Sequence, residues 1–185
     1  MLEGLQPHPN LKSLTVEWYR GKKFPSRVGL SLYHNLIQIS LIDCIECEEV
    51  PTLGHLSCLR VLDMKGMKKV RSIGCEFYSY SDGSYRNNTT LFLALRILKL
   101  VGMTSLEEWT DAKELTSAGE VLVFPCLEEL TILWCFNLRD LPDSLHTCVS
   151  LQKLVVANCD ELRYLESVSS IIRCGIEDPP SGLQC

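Results

Sequence analysis

The chain has 185 residues, 46% of them hydrophobic and 22% charged, which is enough apolar material for one core of ordinary size and excludes an extended disordered chain. Eighteen Lys and Arg against 23 Asp and Glu leave a formal net charge of -5 and a pI near 5.4, so no global basic field gathers phosphates and sequence-independent nucleic-acid binding is disfavoured. No uninterrupted apolar run approaches the length of a membrane span, and Met1-Leu2-Glu3-Gly4 carries neither a basic nor an apolar leader; a soluble, unexported chain is expected. In that setting the ten cysteines are expected to be free thiols, and the tandem sequons at Asn87 and Asn88 to stay unmodified.

In chain order, one pattern recurs, LxxLxLxxCxxLxxL, with conservative replacements. It begins in "LKSLTV" (Leu11, Leu14, Val16) and decays at Tyr19. The second copy places Leu36, Ile39, Leu41, Cys44, Cys47 and Val50 on the beats, and the third Leu59, Leu62, Met64, Met67, Val70 and Ile73. The fourth uses Leu95, Leu98, Leu100, Met103, Leu106 and Trp109. In the fifth the beats are Leu127, Leu130, Ile132, Cys135, Leu138 and Leu141, and in the sixth Leu151, Leu154, Val156, Cys159, Leu162 and Leu165. Successive copies start 25, 23, 36, 32 and 24 residues apart, so three spacings fit a leucine-rich coil and two carry insertions.

The LxxLxL portion alternates as a strand with one buried face does, and the later beats line a return limb. One coil cannot recover by burial the backbone entropy of ordering its two dozen residues, whereas stacked coils share a core. The expected fold is therefore an α/β repeat of the leucine-rich repeat type: a short solenoid arc with a parallel concave sheet and an irregular or 3-10 convex side. Residues 1–173 are expected to form this domain, about six irregular repeats with insertions near 74–94 and 110–124, and 174–185 a tail that starts a further repeat. The first insertion, "YSYSDGSYRNNTT" (Tyr78 to Thr90), reads as a polar surface loop; the second, about Thr110 to Val123, allows a short helix at "DAKEL" and then a turn.

Many leucine-rich repeats carry asparagine where this chain has Cys44, Cys135 and Cys159, and use its amide to satisfy backbone groups where the chain leaves the strand. A thiol fills that space but donates weakly, and Met67 and Met103 cannot donate at all, so a looser solenoid is expected. Cys44 and Cys47 form a CxxC, yet both sit on beats and no second CxxC or HxxxH completes a zinc site. His8, His34, His55 and His146 occupy unrelated places; His55 and His146 read as surface-turn residues. Glu48-Glu49 and Glu107-Glu108 read as solvated charge. No constellation amounts to an active site, so no catalytic residue and no cofactor or metal is expected in this chain.

"LEGLQPHPNLKSLTVEWYRGKKFPS", "CEEVPTLGHLSCLRVLDMKGMKKVRSIGCEFY" and "FPCLEELTILWCFNLRDLP" together cover most of the repeats. They resemble the opening segment, the third-repeat block and the FPxLxxLxIxxCxxLxxLP coil of plant intracellular immune receptors, the nucleotide-binding leucine-rich repeat class of the coiled-coil type. Two departures stand out: Arg27 where that family has tryptophan, and Leu93 where its FPxL element has proline. The phosphate loop GxxxxGK[ST] of such a receptor's nucleotide switch is absent from this chain, so ADP or ATP is expected only in a full-length receptor and the chain reads as a fragment or partial domain.

The resemblance implies a cytoplasmic, or also nuclear, recognition module in defense. Its partners would be proteins: a pathogen effector, a guarded host protein, or the receptor's own nucleotide-binding core. An alternative is the substrate-selecting repeats of an F-box ubiquitin ligase subunit, which calls for a more even period and an F-box ahead of the repeats. Strand alternation puts the residues between the leucines on the concave face. The candidate partner-binding residues there are Asp63, Lys65, Lys99, Val101, Glu129, Thr131, Leu133, Trp134, Lys153 and Val155. Val101, Leu133 and Ala157 share one register, with Trp134 following; this stripe reads either as a partner-binding patch or as a surface that packs against another domain or an insertion.

Overall fold

The computed structural model describes residues 8, 10–24, 35–78, 90–112 and 122–163. Five-residue strands stand where the alternating beats place them: β1 (Ser13–Glu17), β2 (Gln38–Ile42), β3 (Val61–Lys65), β6 (Ile97–Val101), β9 (Glu129–Leu133) and β10 (Lys153–Ala157). They form a six-stranded parallel sheet in the order β1-β2-β3-β6-β9-β10. Each pairing is in register by beat, for example Leu62 with Leu98 and Leu98 with Leu130. The molecule is a leucine-rich repeat solenoid.

Short pairs reinforce the return limb. β4 (Ser72–Ile73) pairs with β7 (Glu108–Trp109), and β5 (Thr90–Leu91) with β8 (Leu122–Val123). The remaining regular elements among the described residues are one helical turn, α1 (Cys75–Tyr78), and a 3-10 helix, Asp143–Thr147. The beat leucines and their substitutes bury into one continuous core in coils two to five, except Leu141 at the last beat of coil five; it, Leu11, Leu14 and Val16 of coil one and Leu151, Leu154, Val156, Cys159 and Leu162 of coil six pack against that core half-buried. Leu165 and the expected tail 174–185 lie outside the described residues.

Each strand ends the same way. The residue one before the fourth beat takes a left-handed conformation in all six coils: Trp18 (φ 55), Asp43 (φ 50), Gly66 (φ 68), Gly102 (φ 64), Trp134 (φ 53) and Asn158 (φ 56). In the first five, its N–H donates to the last strand carbonyl of the next coil, as Asp43 does to Lys65 at 2.8 Å, so one more ladder bond forms before the chain turns away. The fourth-beat carbonyl then accepts from the fifth-beat N–H three residues on (Cys47 to Cys44, Leu138 to Cys135), which is why those beats are spaced by three.

Only glycine takes this conformation freely; other residues pay about 1–2 kcal/mol. Gly102→Ala is expected to cost about 1 kcal/mol from backbone strain alone, because an added Cβ would come no nearer than 3.9 Å to a neighbour. Gly66→Ala should cost more, since its Cβ would also fall 2.2 Å from Asp43 Oδ1. Paired urea titrations test the order.

Two further left-handed residues, Phe92 (φ 53) and Phe124 (φ 56), precede the first beats of coils four and five. Both are fully buried and stack at 5.0 Å between centroids. Leu93, the residue found in place of proline, is 50% exposed, so that departure leaves the aromatic stack intact. Arg27 lies outside the described residues.

The structure corrects the first insertion at its start. Tyr78 belongs to the core, fully buried against Phe77, Phe92 and Phe124. Its hydroxyl donates to the Thr110 carbonyl at 3.0 Å and accepts from Trp109 Nε1 at 2.9 Å, and burial pushes the phenol above its usual range. Val123, taken as the end of the second insertion, is likewise buried in β8, and Ala112 is buried just inside that insertion's start. The polar stretches 79–89 and 113–121, with both sequon asparagines and the part of the expected "DAKEL" helix beyond Ala112, lie outside the described residues.

Candidate recognition face

The open face of the sheet carries three rows set by strand register. The first runs Ser13, Gln38, Val61, Ile97, Glu129, Lys153. The second runs Thr15, Ser40, Asp63, Lys99, Thr131, Val155. The third runs Glu17, Ile42, Lys65, Val101, Leu133, Ala157. All candidate residues within the strands therefore lie on one face, exposed or half-buried as alternation requires. Ser40 departs, being only 6% exposed.

Charge on this face is arranged by register. Asp63 stands beside Lys99, and Glu129 beside Lys153, each one strand spacing away. Lys65 is different: its register neighbours are Ile42 and Val101, both apolar. The third row is thus apolar from Val101 to Ala157 with one cation at its flank. At the rim, Trp134 is 39% exposed and Phe136 also 39%.

Sequence reasoning passed over Phe136. It falls between beats, where periodicity carries no signal; Lys68, Thr104 and Asp160 hold that place in other coils, and the one hint was Ile45 in coil two, also 39% exposed. Trp18, 66% exposed, occupies the equivalent of Trp134 at the far end of the sheet.

Behind the face the thiols do more than fill space. Cys44 Sγ donates toward the carbonyls of Val16 and Ile42, both at 3.7 Å. Cys135 does so toward Leu100 at 3.8 Å and Leu133 at 3.6 Å, and Cys159 toward Ile132 at 3.7 Å and Ala157 at 3.5 Å. Each thiol thus bridges its own strand end and the preceding coil, the place an amide would take, with longer and weaker bonds. Register passes Met67 and Met103 without a slip even so. Cys47 instead reaches the Gly21 carbonyl at 3.1 Å, and its hydrogen bond to Cys44 lowers Cys44 to about 7 while pushing Cys47 up. Burial alone raises Cys148 to about 11.

Three of the four carboxylates read as solvated charge are coil-to-coil partners: Glu48 pairs with Lys22 at 3.1 Å, Glu49 with Lys23 at 2.6 Å, and Glu107 with Arg139 at 3.4 Å. Exposed pairs of this kind contribute little individually, about 0–1 kcal/mol. His55 sits in a turn with both ring nitrogens buried, and His146 lies in the 3-10 helix rather than a simple surface turn. Among the described residues no group of three or more His, Cys, Asp or Glu side chains is arranged to hold a metal ion, and no helix is long and apolar enough to cross a membrane.

Stacked parallel strands, a thiol-and-methionine spine and a mixed open face define a leucine-rich repeat scaffold. The family described as R13L1/DRL21 LRRs matches residues 1–67. The disease resistance RPP13-like protein 1 of Arabidopsis thaliana is 33% identical over 153 residues, 82% of this chain and 14% of that protein. In Solanum bulbocastanum, disease resistance protein RGA4 is 32% identical over 172 residues, 92% of this chain and 16% of its own length, and disease resistance protein RGA2 is 29% identical over 199 residues, 99% of this chain and 19% of its own. The chain belongs to the leucine-rich repeat region of plant disease resistance proteins, and it spans less than a fifth of the length of these relatives. These relatives favour the immune-receptor reading over the F-box one.

Proposed function

We propose that the chain is a non-catalytic protein-recognition module, the sensor and autoinhibitory repeats of an immune receptor, working in the cytoplasm with the nucleus as a second compartment. Residues 1–173 make up the domain and 174–185 the tail. The partner is a protein: a pathogen effector, a guarded host protein or the receptor's nucleotide-binding core. No cofactor belongs to this chain; a nucleotide belongs to the full-length receptor. The observation that carries the reading is the apolar third row with Trp134 and Phe136 exposed at its rim, flanked by Lys65.

An indole held in the left-handed region costs backbone free energy that a glycine there would avoid. Selection of tryptophan at such a place fits a binding anchor, since interface hot spots favour large aromatics. Asp63, Lys99, Glu129, Thr131, Lys153 and Val155 supply the polar surround. In the receptor, ligand binding would act by differential affinity for the released state.

The test is co-purification of the chain with the nucleotide-binding core of a disease resistance protein expressed as a separate polypeptide. Trp134→Ala and Leu133→Glu are expected to lower recovery about tenfold, the loss of a single hot spot of roughly 1.4 kcal/mol or more. The return-limb change Lys69→Ala should leave it unchanged. Recovery insensitive to the face variants and abolished by Lys69→Ala would overturn the reading.

A further inference from the structure

We propose that Cys135 and Cys159 are a modification site, a dithiol that a hydroperoxide converts to a disulfide stapling the fifth coil to the sixth. Register places them together. Leu133 and Ala157 are paired neighbours, the Trp134 N–H donates to the Ala157 carbonyl at 3.0 Å, and both chains then turn through matching left-handed residues, Trp134 (φ 53) and Asn158 (φ 56). The two cysteines follow directly, so their backbones stand about one strand spacing apart, ~4.8 Å, inside the ~4.4–6.8 Å that disulfides span between Cα atoms.

The side chains complete the case. Hydrogen bonding from Cys135 favours the Cys159 thiolate, lowering Cys159 to about 7, while the same interaction pushes Cys135 up. Cys135 is fully buried whereas Cys159 is half-buried, so the more acidic sulfur is also the one a small oxidant reaches. Cys44 and Cys47 form a second hydrogen-bonded pair, but both are fully buried, which places them later in the order of reaction.

The chemistry balances in two steps. The Cys159 thiolate attacks one peroxide oxygen, the O–O bond breaks and the leaving hydroxide takes a proton as water, giving a sulfenic acid. The Cys135 sulfur then attacks the Cys159 sulfur, the S–S bond forms, the S–O bond breaks and the departing hydroxide leaves as water with the Cys135 proton. Two thiols lose two electrons in all, and one hydroperoxide is reduced.

The experiment treats the reduced 185-residue chain with stoichiometric hydrogen peroxide, alkylates the remaining thiols and maps the unreduced digest by mass spectrometry. The expected result is a peptide pair joined through Cys135 and Cys159, lost on reduction with dithiothreitol, together with a melting temperature raised by several degrees. In Cys135→Ala, Cys159 should accumulate as a sulfenic acid trapped by dimedone; in Cys159→Ala, Cys135 should survive as a free thiol. The wild-type map needs no substitution and decides the matter even where a variant fails to fold. A first crosslink through Cys58 or Cys75, or Cys159 passing to sulfinic acid while Cys135 is recovered alkylated, would overturn the proposal.

Discussion

Leu130→Asp is expected to remove about 3–5 kcal/mol of stability, the cost of an uncompensated charge in a sealed core. Leu130 is 1% exposed in β9, with Leu98 and Leu154 as its register neighbours on either side. The described side chains of the core around it are aliphatic groups, thiols and thioethers, which cannot solvate a carboxylate, and the neighbouring coils cannot move apart without breaking both ladders. A domain of ordinary stability, about 5–15 kcal/mol, would be left marginal or unfolded. Lys99→Ala, one residue beyond the same beat in the preceding coil and facing the open side, should stay within about 0.5 kcal/mol. Urea denaturation of both variants reads the contrast; equal midpoints would contradict the division of each strand into a buried and an open face.

Gly54→Ala should cost about 2–3 kcal/mol, a large penalty for one methyl group. A Cβ at Gly54 would lie 2.2 Å from the Tyr78 carbonyl oxygen and 2.9 Å from that residue's carbonyl carbon and Cα, all backbone. Neither side can yield. The Leu53 and Gly54 N–H groups both donate to the Phe77 carbonyl, the Phe92 N–H donates to the Gly54 carbonyl, and the Tyr78 hydroxyl is tied to coil four through Thr110 and Trp109. Gly21 provides the control. Its added Cβ would meet the Tyr19 hydroxyl at 2.2 Å and two ring atoms at 2.3 and 2.6 Å, but all three belong to the far end of one side chain, which can swing clear by turning about χ1 at the loss of its hydrogen bond to the Lys23 carbonyl. Gly21→Ala should therefore cost under about 1 kcal/mol, less than the usual price of overpacking a rigid core. Thermal melts of the two variants that coincide would show that the coil-three junction is not rigid.

The six strands and their faces were legible because burial repeats with the beats, and a strand one residue out of step would expose every leucine. What stayed hidden lacks a residue-type signature. Trp, Asp, Gly, Gly, Trp and Asn share one left-handed position, and the two tryptophans give no sign of it. Tyr78 reads as part of a polar loop because its sequence neighbours are polar; its burial comes from Phe92 and Phe124, far along the chain. The thiols' bonds to carbonyls were hidden for a different reason, since sequence tells which atoms can donate but not which backbone oxygens stand within reach. On the open face, the ten candidate residues were placed by alternation plus the indole after Leu133, whereas Phe136 required the turn geometry to be known.

The common register has an evolutionary corollary. Every strand of the main sheet pairs with its neighbours through the same ladder and turns away through a residue in the same left-handed conformation, so duplicating or losing one whole unit would leave the sheet's backbone pairing unchanged. Lineages can thereby lengthen or shorten the array in steps of about 4.8 Å, sliding an existing patch of side chains along a ruler while the packing behind it keeps its pattern.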